Sequence, residues 1–116
     1  MIRMVTKADV LAKAANADVL TFVEVGPDSS KFKKRHIVES RFLPLGRVRE
    51  LASVYLPDRT AEIVVYSHQT GPEDPAMIAA HELELLGYGN IYYLIGGLED
   101  WYWGSYPVNA VHIPPQ

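Results

Sequence analysis

The sequence predicts an α/β domain with a mainly parallel central sheet flanked by helices. Three observations predict it. Strand-like apolar runs alternate with helix-like stretches along the chain, the rhythm of βα units joined by right-handed crossovers. The runs V-L-T-F-V-E-V (19–25) and I-V-V-Y (63–66) are nearly continuous in apolar side chains, as strands covered on both faces are. The third is the stretch 63–75, I-V-V-Y-S-H-Q-T-G-P-E-D-P, where a strand gives way to an irregular loop and then to a helix start. Ligands of such folds sit beyond the C-terminal ends of the strands. That points to the loop after Tyr66, and to Ser67 as the first side chain to enter it.

Each element has its own warrant. Thr6 with Asp9 three residues on has the form of a helix N-terminus, and 8–15 is a good helix-forming run. After Asp18 comes the strand with Val19, Leu20, Phe22, Val23 and Val25. G-P-D-S-S breaks it, and Asp28 or Ser29 caps a short helix through 32–35. Lys33, Lys34 and Arg35 complement the C-terminal end of that helix dipole. The piece 41–45 contains Pro44 and predicts a short or edge strand. In 47–56, Val48, Leu51, Ala52 and Tyr55 share one helical face.

Asp74 is the expected N-cap of the next helix and Pro75 its first residue, where a missing N–H costs nothing. That helix stops at Gly87, buries Ala79, Leu83 and Leu86, and turns His81, Glu82 and Glu84 to water. A last strand, 90–95, turns through Gly96-Gly97 into 98–103. The tail from Gly104, with Pro107, Pro114 and Pro115, is expected to run extended over the surface.

The whole chain, 1–116, suits one domain with a modest core. Hydrophobic residues make up 48% and charged residues 22%, the balance of a soluble globular protein. A net charge of −3 argues against nucleic acid and anionic membrane as partners. With no cysteine, disulfides, thiolate metal sites and thiol catalysis are excluded. No apolar run approaches the roughly 20 residues of a membrane span. M-I-R-M-V-T-K-A-D lacks the apolar stretch of a signal peptide, so a cytoplasmic location is expected.

From about residue 18 to 108 the order of pieces resembles a rhodanese-like domain, of the sulfurtransferase superfamily. The residues that carry the resemblance are I-V-V-Y at the central strand, L-L-G-Y-G-N-I-Y-Y-L-I-G-G-L-E-D-W (85–101) and the trailing Y-P-V. F-V-E-V-G stands where the family has a strand ending in D-x-R, and His36-Ile37 matches the start of its H-I-P-G-A segment. The resemblance implies a three-layer fold and a cysteine directly after the central strand, which carries a persulfide during sulfur transfer. Here that position is Ser67. The D-x-R arginine is lost, since Glu24-Val25-Gly26 stands in its place, and P-G-A becomes Val38-Glu39-Ser40.

The altered loop comprises Ser67, His68, Gln69, Thr70, Gly71, Pro72, Glu73 and Asp74, and it holds no arginine. An alcohol is scarcely ionised near neutral pH and cannot hold a transferable sulfur as a thiolate does. Pro72 and Pro75 remove two main-chain donors, while Glu73 and Asp74 put carboxylates at a helix N-terminus. Anion binding is therefore expected to be weak at most.

The expectation is a rhodanese-like domain without the persulfide cysteine, acting as a non-catalytic binding or regulatory module. It carries no catalytic residue, metal or cofactor, and its partner is an unidentified protein. Two alternatives stand beside it. One is an enzyme, a divergent sulfurtransferase or a hydrolase using the Ser67 loop; the other is a structural module that self-associates. Ser67-His68 has no orienting acid in the loop's sequence pattern, and His68, Glu73 and Asp74 match no metal-ligand spacing. Lys31, Lys33, Lys34, Arg35 and Arg41 read as a solvated basic face. Trp101 is expected in the core, whereas Tyr102, Trp103 and Tyr106 form a candidate interface.

Overall fold

The computed structural model describes residues 1–16, 19–68, 73–103 and 108–109. In chain order the elements are β1 (Ile2–Val5), α1 (Lys7–Ala15), β2 (Leu20–Gly26), α2 (Ser30–Lys34), β3 (His36–Ile37) and β4 (Arg41–Pro44). There follow α3 (Val48–Tyr55), β5 (Glu62–Tyr66), α4 (Pro75–Leu85), β6 (Ile91–Leu94), α5 (Gly97–Trp103) and β7 (Val108–Asn109). Five strands form one sheet in the order β1-β6-β5-β2-β4, and every pairing in it is parallel. The α/β class and the parallel sheet are as expected. β5 lies at the centre, and the chain leaves β2 towards β4 on one side and later returns to β5 on the other. The C-terminal ends of β2 and β5 therefore flank a topological switch point.

Period-2 alternation sends the sheet's side chains into two separate cores. One face puts Val23, Val25, Leu43, Ile63, Val65 and Ile91 against Val48 and Ala52 of α3 and Ala79 and Leu83 of α4. The other sets Val64, Tyr66 and Leu94 against Val10 of α1 and Leu98 and Trp101 of α5. Each fully buried aliphatic side chain contributes about 1.5–3 kcal/mol. Ala76, Ala79 and Ala80 give α4 a buried face of short side chains, so this helix packs closely on the sheet.

Local signals set most boundaries. Thr6 and Asp9 make a reciprocal capping box at α1. Asp74 caps α4 by accepting from the Ala76 amide at 2.9 Å, with Pro75 at the first position. Gly87 just beyond that helix has φ +99°, a conformation that penalises any Cβ.

Some expectations need correction. β1 has no counterpart in the sequence reading, because this four-residue edge strand is exposed at Arg3 and Met4 and is specified by its pairing with β6. Val19 precedes β2 and is 84% exposed. The short helix follows its expected cap and starts at Ser30, but it ends at Lys34, and Arg35, expected in its last turn, is extended. Its start is held by Asp28, whose Oδ1 accepts from the Ser30 amide and hydroxyl at 2.9 and 2.6 Å, whereas Ser29 makes no capping bond. Tyr55 is exposed and Leu86 only partly buried, while Ala76 and Ala80 join the buried stripe of α4. Of the tail, 104–107 and 110–116 lie outside the described residues; Val108–Asn109 is a strand paired antiparallel with β3. Among the described residues no helix is long and apolar enough to cross a membrane.

Candidate functional site

The ends of β2 and β5 enclose a cavity of about 260 Å³ whose walls include Glu24, Gly26, Asp28, Lys31, Ser67 and His68. Register explains why these meet. Glu24 lies directly opposite Tyr66 across the parallel β2–β5 ladder. His68, two residues beyond Tyr66, continues the same period-2 face just past the strand. His68 Nε2 lies 2.9 Å from Glu24 Oε2. A carboxylate can only accept, so with Glu24 ionised the shared proton sits on Nε2. Glu24 is 2% exposed, yet its other oxygen, Oε1, is buried with no hydrogen-bond partner among the described residues.

Beneath this pair the polar groups are satisfied. The Tyr66 hydroxyl accepts from the Ile37 amide at 3.0 Å and donates to Ser40 Oγ at 2.8 Å. Burial pushes the Tyr66 phenol well above its ordinary value, and the negative charge of Glu24 adds to the shift. At the mouth, the two Ser30 hydrogen bonds hold the Asp28 carboxyl below the usual range, with Lys31 assisting.

The loop backbone is pinned from the far side by α5. The Ser67 carbonyl accepts from the Leu98 amide at 2.8 Å and the His68 carbonyl from Glu99 at 3.0 Å. The Leu98 and Glu99 amides in the first turn of α5 are thereby committed to carbonyls of the chain itself. The start of α4 is occupied in the same way, since Asp74 takes the Ala76 amide through its side chain and those of Met77 and Ile78 through its carbonyl.

The altered loop thus divides in two. Ser67 is buried on the cavity wall and His68 stands beside it, half-exposed. Asp74 is also buried, but it serves the fold, capping α4 and accepting the Tyr93 hydroxyl. Glu73 is exposed. Gln69, Thr70, Gly71 and Pro72 lie outside the described residues. Among the described residues no three His, Asp or Glu side chains converge as a metal site requires.

Elsewhere, His36 stacks on Phe32 with ring centroids 3.9 Å apart and contacts the Phe32 carbonyl through Nδ1. Trp101 is buried, edge-on to Phe22. Tyr102 is 37% exposed, with the Arg35 guanidinium 3.8 Å from its ring centre. The Trp103 side chain and Tyr106 lie outside the described part.

Sequence reasoning placed the site at the end of β5 but missed Glu24 as a member. A signal was present, a single carboxylate in the otherwise apolar run F-V-E-V. What it faces is decided by the β2–β5 register, which the linear sequence does not display.

The family model for the rhodanese-like domain matches residues 6–102. The chain belongs to the rhodanese-like family. Among solved structures, this rhodanese-like domain is similar to a thiosulfate sulfurtransferase from Pseudomonas aeruginosa, at 27% identity and a TM-score of 0.78. The match covers 93% of this chain but 20% of that one, so the chain spans about a fifth of that enzyme's length. A rhodanese-related protein from Thermoplasma volcanium (22% identity, TM-score 0.77) is matched over 95% of this chain and 99% of its own. A Bacillus halodurans protein (23%, TM-score 0.79) is covered over 77% of its length and 94% of this one. A comparison with curated proteins finds no match.

Proposed function

We propose that this rhodanese-like domain is a non-catalytic binding module that transfers no sulfur. The observation that carries the reading is Ser67, which stands on the cavity wall at the end of β5 in a chain without any cysteine. Sulfur transfer needs a nucleophile that is ionised near neutral pH and soft enough to hold a second sulfur; a serine hydroxyl is neither. The surroundings support the same conclusion. A thiosulfate-type anion needs free donors and positive charge, whereas the first amides of α4 and the Leu98 and Glu99 amides of α5 are committed internally and a buried carboxylate lines the cavity.

The test is a thiosulfate:cyanide assay on the wild type, Ser67→Ala and Ser67→Cys. All three should stay at background, the last because a restored thiol would still sit beside Glu24 without a family arginine. Steady wild-type turnover that Ser67→Ala abolishes would sink the reading.

One observation favours a second reading, a hydrolase. The Glu24–His68 contact supplies the orienting acid that the loop's own sequence lacks. Hydrolysis of activated esters by the wild type, lost in both Ser67→Ala and Glu24→Gln, would establish it; equal rates in all three proteins would remove it.

A further inference from the structure

We propose that the groove along the outer edge of β4 docks an acidic, extended peptide segment that carries one aromatic residue among its carboxylates. The inference rests on the binding-module reading and gives that module a surface and a partner class. β4 is the last strand of the sheet, and among the described residues no strand pairs with its outer edge. Successive side chains of a strand point to opposite faces, yet Arg41, Phe42 and Pro44 all border one groove of about 640 Å³. The groove therefore follows the margin of the sheet. Phe32 and Lys33 of α2 form one bank, and Leu51 and Tyr55 of α3 form the other.

Three features fix the chemistry of the occupant. The first is charge. Residues 31–41 hold Lys31, Lys33, Lys34, Arg35 and Arg41 against one carboxylate, Glu39, in a chain whose net charge is −3. A negatively charged segment is drawn to this face and repelled by the rest of the surface. On the groove wall, Lys33 has no hydrogen-bond or ion-pair partner among the described residues. Arg41 spends one nitrogen on the Tyr55 carbonyl, at 2.7 Å. Arg47 is held by both oxygens of Glu50, and Asp28 is engaged by Ser30. The cations open to a partner are thus Lys33 and Arg41.

The second feature is the aromatic wall. Phe32 is fixed against His36 and Phe42, with ring centroids 3.9 and 5.5 Å away, and Tyr55 is 42% exposed. Rings already held in place receive an aromatic anchor at little cost in entropy. The third is the edge itself. β4 is four residues long, carries the charged Arg41 and ends at Pro44, which has no N–H. Such an edge resists a further strand, so side chains rather than a backbone ladder recognise the partner. Two open cations are too few for a nucleic-acid strand, whose binding depends on many phosphate contacts.

The probe is the blocked pentapeptide Glu-Asp-Phe-Glu-Asp, titrated into the full chain and followed by backbone amide shifts. The neutral Gln-Asn-Phe-Gln-Asn, the anchorless Glu-Asp-Ala-Glu-Asp and a single-stranded oligonucleotide are titrated in parallel. We expect the probe to shift the amides of residues 32–33, 41–43 and 51–55 saturably. The neutral peptide should bind at least about tenfold more weakly, and loss of the anchor should cost about fivefold or more. Lys33→Gln and Arg41→Gln should each cost about two- to fivefold, the range of a single exposed ion pair. Arg49→Gln, a cation on α3 outside the groove, should leave the affinity unchanged.

Equal binding of the neutral peptide on the wild type overturns the proposal without recourse to any variant. So does an absence of groove shifts, or a loss in Arg49→Gln equal to that in Arg41→Gln, which would reduce the effect to diffuse charge. Tighter binding of the oligonucleotide assigns the groove to nucleic acid, and self-association abolished by Arg41→Gln assigns it to a second copy; either result overturns the proposal. Each of these leaves the non-catalytic reading standing as long as thiosulfate:cyanide turnover stays at background. Turnover above background brings down that reading instead.

Discussion

The two faces of the sheet treat buried polar groups differently. On the α3–α4 face every buried side-chain polar atom is satisfied, within the described residues. The Tyr88 hydroxyl donates to the Leu56 carbonyl at 2.6 Å, and Asp74 accepts both the Ala76 amide and the Tyr93 hydroxyl. These bonds tie a loop or a helix start to the core, and nothing more is asked of them. On the α1–α5 face, Tyr66 is likewise fully engaged, but Glu24 above it holds His68 through one oxygen while the other is shut off from solvent with no hydrogen-bond partner among the described residues. A satisfied buried network ties the fold together, whereas a buried carboxylate oxygen without a partner is a cost that the surrounding fold has to offset.

Substitutions on the two faces can break that contrast. The largest effect is expected at Trp101, which anchors α5 beneath the Ser67–His68 loop. Trp101→Ala should lose about 3–5 kcal/mol in denaturant unfolding, and a loss below about 1 kcal/mol would mean the indole is not core.

Asp74→Ala comes next. It removes a helix cap, worth about 1 kcal/mol, and orphans the buried Tyr93 hydroxyl, for a further 1–3 or so. If Asp74→Ala unfolds at the wild-type denaturant concentration, the satisfied network on the α3–α4 face contributes nothing.

Tyr66→Phe leaves the Ile37 amide without its acceptor, at a cost of roughly 1–3 kcal/mol near neutral pH. Because the folded phenol titrates above the ordinary value of 10.0, folding favours its protonated form. The stability it contributes is complete below pH 10 and is lost as pH rises from there towards the folded value. The gap between wild type and Tyr66→Phe should therefore narrow above about pH 10. A gap that stays constant, measured by urea unfolding from pH 8 to 11, contradicts the burial of this phenol.

The smallest effect is expected at Glu24. Removing a buried charge that lacks a full set of partners costs little and can stabilise. Glu24→Gln should stay within about 1 kcal/mol of wild type. A loss comparable to that of Asp74→Ala would show that Oε1 has a partner after all, and the contrast between the faces would disappear.

The sequence by itself determined the elements whose signals are local. Asp74-Pro75 and Gly87 bracket α4, Thr6 and Asp9 start α1, and the apolar runs at 20–25 and 63–66 can be strands of a buried sheet and little else. It also determined that no thiol chemistry is available, because the chain has no cysteine. The tertiary structure decided everything that depends on what lies across from what. β1 exists because β6 offers it an edge, and the two residues of β7 because β3 does. Asp74, legible as a cap, gained its second role only when β6 brought Tyr93 beneath it. Glu24 and His68, 44 positions apart, meet because the parallel register sets Glu24 opposite Tyr66. Pairing between distant strands is a property of the assembled sheet, since a one-residue slip would turn Glu24 to the other face.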